Sequence, residues 1–187
     1  MSPVCQDLGL ARRTGNGSTV RVYIPATVLM LRSLNTAGEL AAVSNTAFAL
    51  TPMLRESYAS GTSEELEYAA MLEASRASLR LLAAELEEDP ELVLPRRAVI
   101  SADVDGATLR PDLDYAVVRL ASPVQLKQVA AVHLDTSDAE APVRAAAAVV
   151  DQADLGDGDA EFTLGEAEDH ELAWYSPEEL PFLLELL

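Results

Sequence analysis

Residues 63–86, SEELEYAAMLEASRASLRLLAAEL, run for many turns without a Gly or Pro. Leu66, Ala69, Ala70, Leu72, Leu79, Leu82 and Leu86 recur at helical spacing as one broad apolar stripe. Thr62 with Glu65, or Ser63 just inside, has the spacing of a capping box, and Glu87, Glu88, Asp89 and Pro90 stop the helix. A helix of this kind must lay its stripe on another apolar surface, so the rest of the chain has to supply one.

Four segments supply β-rich candidates for that surface. Residues 20–24 alternate, with Val20, Val22 and Ile24 on one face and Arg21 and Tyr23 on the other, and Pro25 is read as their end. Residues 98–103, 116–120 and 129–134 are the other three, and all four are expected in one sheet under helix 63–86. The link from Asp103 to Asp114 is too short for a crossover helix, so its flanking strands are read as antiparallel neighbours. Short helices are expected over 27–34 and after Pro52, a short strand at 47–50, and one helical turn at 123–127. A helix capped by Ser137 is expected over about 138–151. Residues 151–171 hold nine acidic and no basic residues with three glycines, and read as a solvent-facing loop with a candidate strand at 161–164. Ser176-Pro177-Glu178-Glu179 starts a final helix, and Trp174 just before it is expected to be buried as its anchor. The class is α+β or mixed α/β: one layered domain over 20–187, with a mixed sheet and one long amphipathic helix. Residues 1–19 read as a flexible extension.

Charge narrows the function. Thirteen basic residues face 31 acidic ones, a net charge of -18. The imbalance is concentrated: residues 101–187 carry 4 basic and 19 acidic residues. Nucleic acid and anionic membrane surfaces are disfavoured partners, because both demand a concentrated basic face. A single cysteine, Cys5, forms no internal disulfide, no secretory signal pattern is expected in the first residues, and no stretch has the roughly 20 apolar residues of a membrane span. These features lead to the expectation of a cytoplasmic protein.

The blocks RVYIPAT, TAFALTPMLRESY, EELEYAAMLEASRASLRLL and DAEFTLGEAEDHELAWYSPEELPFLL occur in this order. As an ordered set they resemble an uncharacterised family of short acidic actinobacterial proteins, over about residues 20–185. The resemblance implies no activity and transfers no site residue. Its members look as though they begin at the first strand, which leaves residues 1–19 outside the common part. AWYSPEELPFLL also resembles the closing segment of Nudix-type pyrophosphohydrolases. Their metal helix is not reproduced: Gly61 and Glu67 fit, but Ser75 and Arg76 stand where Arg and Glu are required, and the later Glu pair and Gly are missing.

The candidate site residues are His133, His170, Asp103, Asp105 and Arg110. His133 and His170, the only histidines, would hold a divalent ion if the fold joined them with a carboxylate such as Asp135. Asp103, Asp105, Asp112 and Asp114 surround SADVDGATLRPDLDY, where paired carboxylates serve acid–base work only if their surroundings separate their pKa values; Asp105-Gly106 otherwise marks a turn. Arg96, Arg97, Arg110, Arg119 and Arg144 hold a small anion or offset the acidic surface. No phosphate-loop, dinucleotide or nucleophile-elbow motif occurs. The expectation is therefore a non-catalytic interaction or regulatory protein with an acidic surface, binding a protein partner or its own copy and needing no cofactor or metal. The alternative is a small hydrolase-like enzyme using Asp, His and Arg on a polar metabolite. An apolar-walled pocket joining carboxylates to a histidine favours the enzyme, and an acidic face with an apolar patch favours the interaction protein.

Overall fold

A computed structural model describes residues 19–187; Thr19, the last residue of the expected 1–19 extension, is in the first strand, and the rest of that extension with Cys5 lies outside the described residues. The strands are β1 (Thr19–Ala26), β2 (Glu39–Leu40), β3 (Thr46–Phe48), β4 (Ala98–Asp105), β5 (Ala107–Leu109), β6 (Val117–Leu120), β7 (Val124–Gln125), β8 (Val129–Leu134) and β9 (Ala173–Tyr175). The helices are α1 (Val28–Ala37), α2 (Pro52–Ser57), α3 (Ser63–Glu88), α4 (Glu140–Asp154), α5 (Gly158–Glu168) and α6 (Leu180–Glu185). Seven strands form one sheet in the order β5-β6-β3-β1-β4-β8-β9, and β2 pairs with β7. The class is α+β. Every pairing is antiparallel where a mixed sheet was expected, because the helical connections from β1 to β3 and from β8 to β9 bring the chain back in at the end of the sheet it left.

The four expected strands share this sheet and α3 covers one of its faces, by the alternation that motivated them. Along β1 and β4, Val22, Ile24, Ile100 and Ala102 turn to one side and meet Leu31 and Leu34 of α1 and Leu180 and Leu183 of α6. Tyr23 and Val99 turn to the other and meet Ala70, Met71 and Ala74 of α3. Further along α3, Leu79 and Leu82 pack with Val143, Ala146 and Val150 of α4 and Leu164 of α5. The helix therefore serves two partners and its stripe rotates accordingly; Leu72, read as part of it, is exposed. Two buried serines lie in the stripe instead. Ser78 Oγ donates to Ala26 O at 2.7 Å and accepts from Ala98 N at 3.2 Å, closing the β1–β4 strand ends against the helix. The capping box of Thr62 and Glu65 is formed.

Several expectations are corrected. β4 and β6 are not neighbours, since β1 and β3 lie between them and the short strand β5 pairs with β6. Pro25 does not end β1: it pairs with Val99 at a level where the ladder to β3 has already stopped, so its missing N–H costs no bond there. Residues 123–127 hold β7 and the start of a tight 3-10 turn. Ser137 opens another such turn, and α4 begins only at Glu140. The acidic run 151–171 is largely helical, and 161–164 belongs to α5, not to a strand. Asp157 caps α5 by accepting from Ala160 N at 2.8 Å, and Ala160, Leu164 and Ala167 bury one face. Trp174 is 62% exposed on edge strand β9, so it anchors nothing; the final segment docks through Leu180, Leu183 and Leu184. Among the described residues, no helix is long and apolar enough to cross a membrane.

Candidate functional site

On the α3 side of the sheet, beyond the apolar contact, the strands present polar side chains. Arg21 of β1 stands opposite Asp103 of β4, and its guanidinium grips that carboxylate with two bonds, Nε to Oδ1 at 2.7 Å and Nη2 to Oδ2 at 3.0 Å. Ser101 Oγ lies 2.9 Å from His133 Nε2 across the β4–β8 pairing. Burial holds the His133 imidazole below its ordinary pKa, and the Arg21 charge adds to this, so the ring is neutral near pH 7. Tyr23 pairs with Ser101, and burial with the Glu67 charge pushes its phenol up to about 12. Trp174 stands opposite His133 on the edge strand.

A hydroxyl beside a neutral imidazole is the first half of a nucleophilic pair, which also requires a group orienting the base and an approachable hydroxyl. Here Ser101 is 2% exposed in the middle of a strand. Among the described residues no hydrogen bond reaches His133 Nδ1, and Asp103 is held by Arg21.

The remaining candidates lie elsewhere. Asp105 is exposed at the end of β4, beside Gly106, whose φ of 75° makes the turn into β5. Arg110 sits in the β5–β6 connection and binds Asp112 with two bonds, at 2.8 and 2.7 Å. That contact raises the Arg110 pKa and lowers the Asp112 pKa, a local clasp of one loop. His170 follows α5, and its backbone carbonyl accepts from Arg97 Nη2 at 2.7 Å. Asp135, the carboxylate considered with the two histidines, is wholly engaged by Arg97. It accepts from Arg97 Nε and Nη2 at 2.8 Å each and from Arg97 N at 2.7 Å, with both side chains buried. Among the described residues, no group of three or more His, Cys, Asp or Glu is placed to hold a metal ion. Thus Asp103 and His133 lie in the polar group on the α3 face; Asp105, on the same side of β4 but at its exposed end, does not join them, nor do Arg110 and His170.

A different feature lies at the opposite end of α3. Thr27 caps α1 and donates its hydroxyl to Glu85 at 2.6 Å, tying the start of α1 to the last turns of α3. Residues 89–94 then fold back, with Asp89 Oδ1 accepting from Leu92 N at 3.2 Å. These segments enclose a cleft of about 500 Å³ lined by Val28, Leu29, Leu92 and Leu94, with Glu85, Glu88 and Glu91 around it. Burial raises the Glu85 pKa, against the opposing hydrogen bond from Thr27. Arg32 also lines the cleft and is directed to Leu184 O at 3.3 Å; no histidine is present there. Sequence reasoning missed this cleft and the Arg97–Asp135 pair. The available signals were the apolar LVL at 92–94 after an acidic turn and the pair Arg96-Arg97 before a β-rich run.

No curated protein and no solved structure matches the chain. The profile of a family of unknown function, DUF6912, matches residues 20–184, the span from the first strand to the last helix, and the chain belongs to that family.

Proposed function

We propose that this is a non-catalytic interaction or regulatory protein, acting in the cytoplasm, that meets a basic protein partner through its acidic surface. The observation that carries the reading is how the basic side chains are used. Arg21, Arg76, Arg80, Arg96, Arg97 and Arg110 are each held in an ion pair within the fold. Exposed carboxylates remain on the α4–α5 unit, including Asp151, Asp159 and Glu166, and no basic residue occurs after Arg144. The acidic cleft with an apolar floor supports the same reading, as does the dispersal of the candidate catalytic residues. Net charge of -18 also opposes self-association through this surface and favours a cationic partner, whose approach it accelerates.

The test is the association rate with a partner recovered by crosslinking in cells. A severalfold fall between low and high salt is expected. A rate unchanged by salt would overturn the acidic-surface role for that complex. One observation favours a second reading, a hydrolase-like enzyme: the 2.9 Å Ser101–His133 contact. That reading requires turnover of a polar metabolite that is lost in both Ser101→Ala and His133→Gln.

A further inference from the structure

We propose that the cleft between α1, the end of α3 and residues 89–94 receives an amphipathic helix of the partner, its apolar side chains on the Leu floor and a Lys or Arg against the Glu85 rim. The inference rests on the acidic-surface reading and gives it a place. Leu29 is 60% exposed and Leu92 is 83% exposed, and both line the cleft. Exposed leucines gathered in a concave site mark a contact surface rather than the ordinary scatter of surface apolar residues. The volume of about 500 Å³ is in the range of sites that seat several side chains or a small ligand.

The lining selects among occupants. Glu85, Glu88, Asp89 and Glu91 face one cation, Arg32, which is already turned to a backbone carbonyl. An acidic or neutral ligand leaves that rim unanswered, whereas a cationic side chain meets the half-buried Glu85 carboxylate. A second copy of the chain brings another net -18 to an acidic site. An added β-strand needs an unpaired strand edge, but the walls here are two helices and a turn, so strand addition is not available. An apolar stripe at positions i, i+3, i+4 and i+7 with Lys beside it matches a concave apolar floor with an acidic rim.

The probe is a labelled synthetic helix of about four turns made of Leu and Lys with one apolar stripe, read by fluorescence anisotropy. The informative variant is the double substitution Leu29→Asp with Leu92→Asp. It makes the protein more acidic, so attraction by charge alone would tighten binding, whereas docking in the cleft predicts at least tenfold weakening. Both leucines are exposed, and an unchanged circular dichroism spectrum and melting temperature will show that the fold is kept. Asp159→Asn with Glu166→Gln on α5 should change binding less than about twofold, the size of a rim effect. If the peptide binds in a salt-sensitive way but the Asp double variant binds equally or more tightly, the cleft assignment is overturned and the acidic-surface reading stands. If no saturable binding occurs up to about 1 mM at low salt, both are overturned.

Discussion

Replacing Asp135 by Ala should be among the most damaging single changes in this protein. Its carboxylate accepts three bonds from Arg97, at 2.7, 2.8 and 2.8 Å, and both side chains are at most 2% exposed. Removing one member strands a guanidinium that water cannot reach, a loss of about 3–5 kcal/mol. With a urea dependence of about 2 kcal/mol/M, the unfolding midpoint should fall by about 2 M. Arg97→Met should cost a similar amount, because it leaves the carboxylate buried. The double variant Arg97→Met with Asp135→Leu removes both charges and fills much of their volume. Two costs remain: the His170 carbonyl loses the bond from Arg97 Nη2, and the backbone N–H of residue 97 loses the Asp135 carboxylate, about 1–3 kcal/mol each. The double variant should therefore be far more stable than the sum of the singles allows. The reasoning fails if Asp135→Ala moves the urea midpoint by less than about 0.3 M at unchanged slope, or if the two losses simply add.

Trp174→Ala should lower stability by less than about 1 kcal/mol in a denaturant titration, because the indole is mostly in water. Ser78→Ala should cost about 2 kcal/mol, since it unpairs Ala26 O and Ala98 N in a fully buried place; equality with the parent would contradict the bridging role. Thr62→Ala should cost about 1 kcal/mol by opening the capping box, seen as a lower melting temperature. His133 has a folded pKa below the ordinary 6.5, so the unfolded chain binds the extra proton first and stability should fall as pH drops through 6.5 toward the folded value. His133→Gln should flatten that part of the stability profile, and an identical slope in parent and variant would refute the linkage.

The strands of the sheet were legible because β-branched residues alternate or run continuously at 20–24, 98–103, 116–120 and 129–134. Their order was not, because neighbours are chosen by pairing over long separations. Thus β6 joins β3 rather than β4 even though β4 precedes it closely in the chain. Helix α5 was misread because two glycines and a dense set of acids mimic a loop. Its buried face is made of Ala160, Leu164 and Ala167, and alanines give a faint apolar signal that matters only once α4 lies against them. Trp174 failed for a related reason. Residue type suggested burial, but alternation on a three-residue edge strand leaves its middle side chain on an uncovered part of the sheet face.

The candidate site divides along the same physical line. Net charge survives any folding of the chain, because the long-range field depends on how many charges there are, and the arginines can be neutralised only by consuming acids one for one. The acidic surface could therefore be expected before any contact was known. Chemistry depends instead on which side chains converge within a few ångströms. Asp135 was read only as a carboxylate that could join the histidines around a metal ion, and the pairing of β8 with β4, which brings it beside Arg97, gives it to the arginine instead. Asp103 was chosen over a neighbour of the same type two residues on, Asp105. Both lie on the same side of β4, yet only Asp103 has Arg21 directly across from it. The Glu85 cleft had no motif to announce it, because its apolar lining comes chiefly from two stretches, 28–29 and 92–94, more than sixty residues apart, and its leucines become informative only by remaining exposed. In the docking proposal the two halves of recognition have different origins: attraction toward basic partners is carried by composition, and the choice among them by a concave surface that exists only in the folded chain.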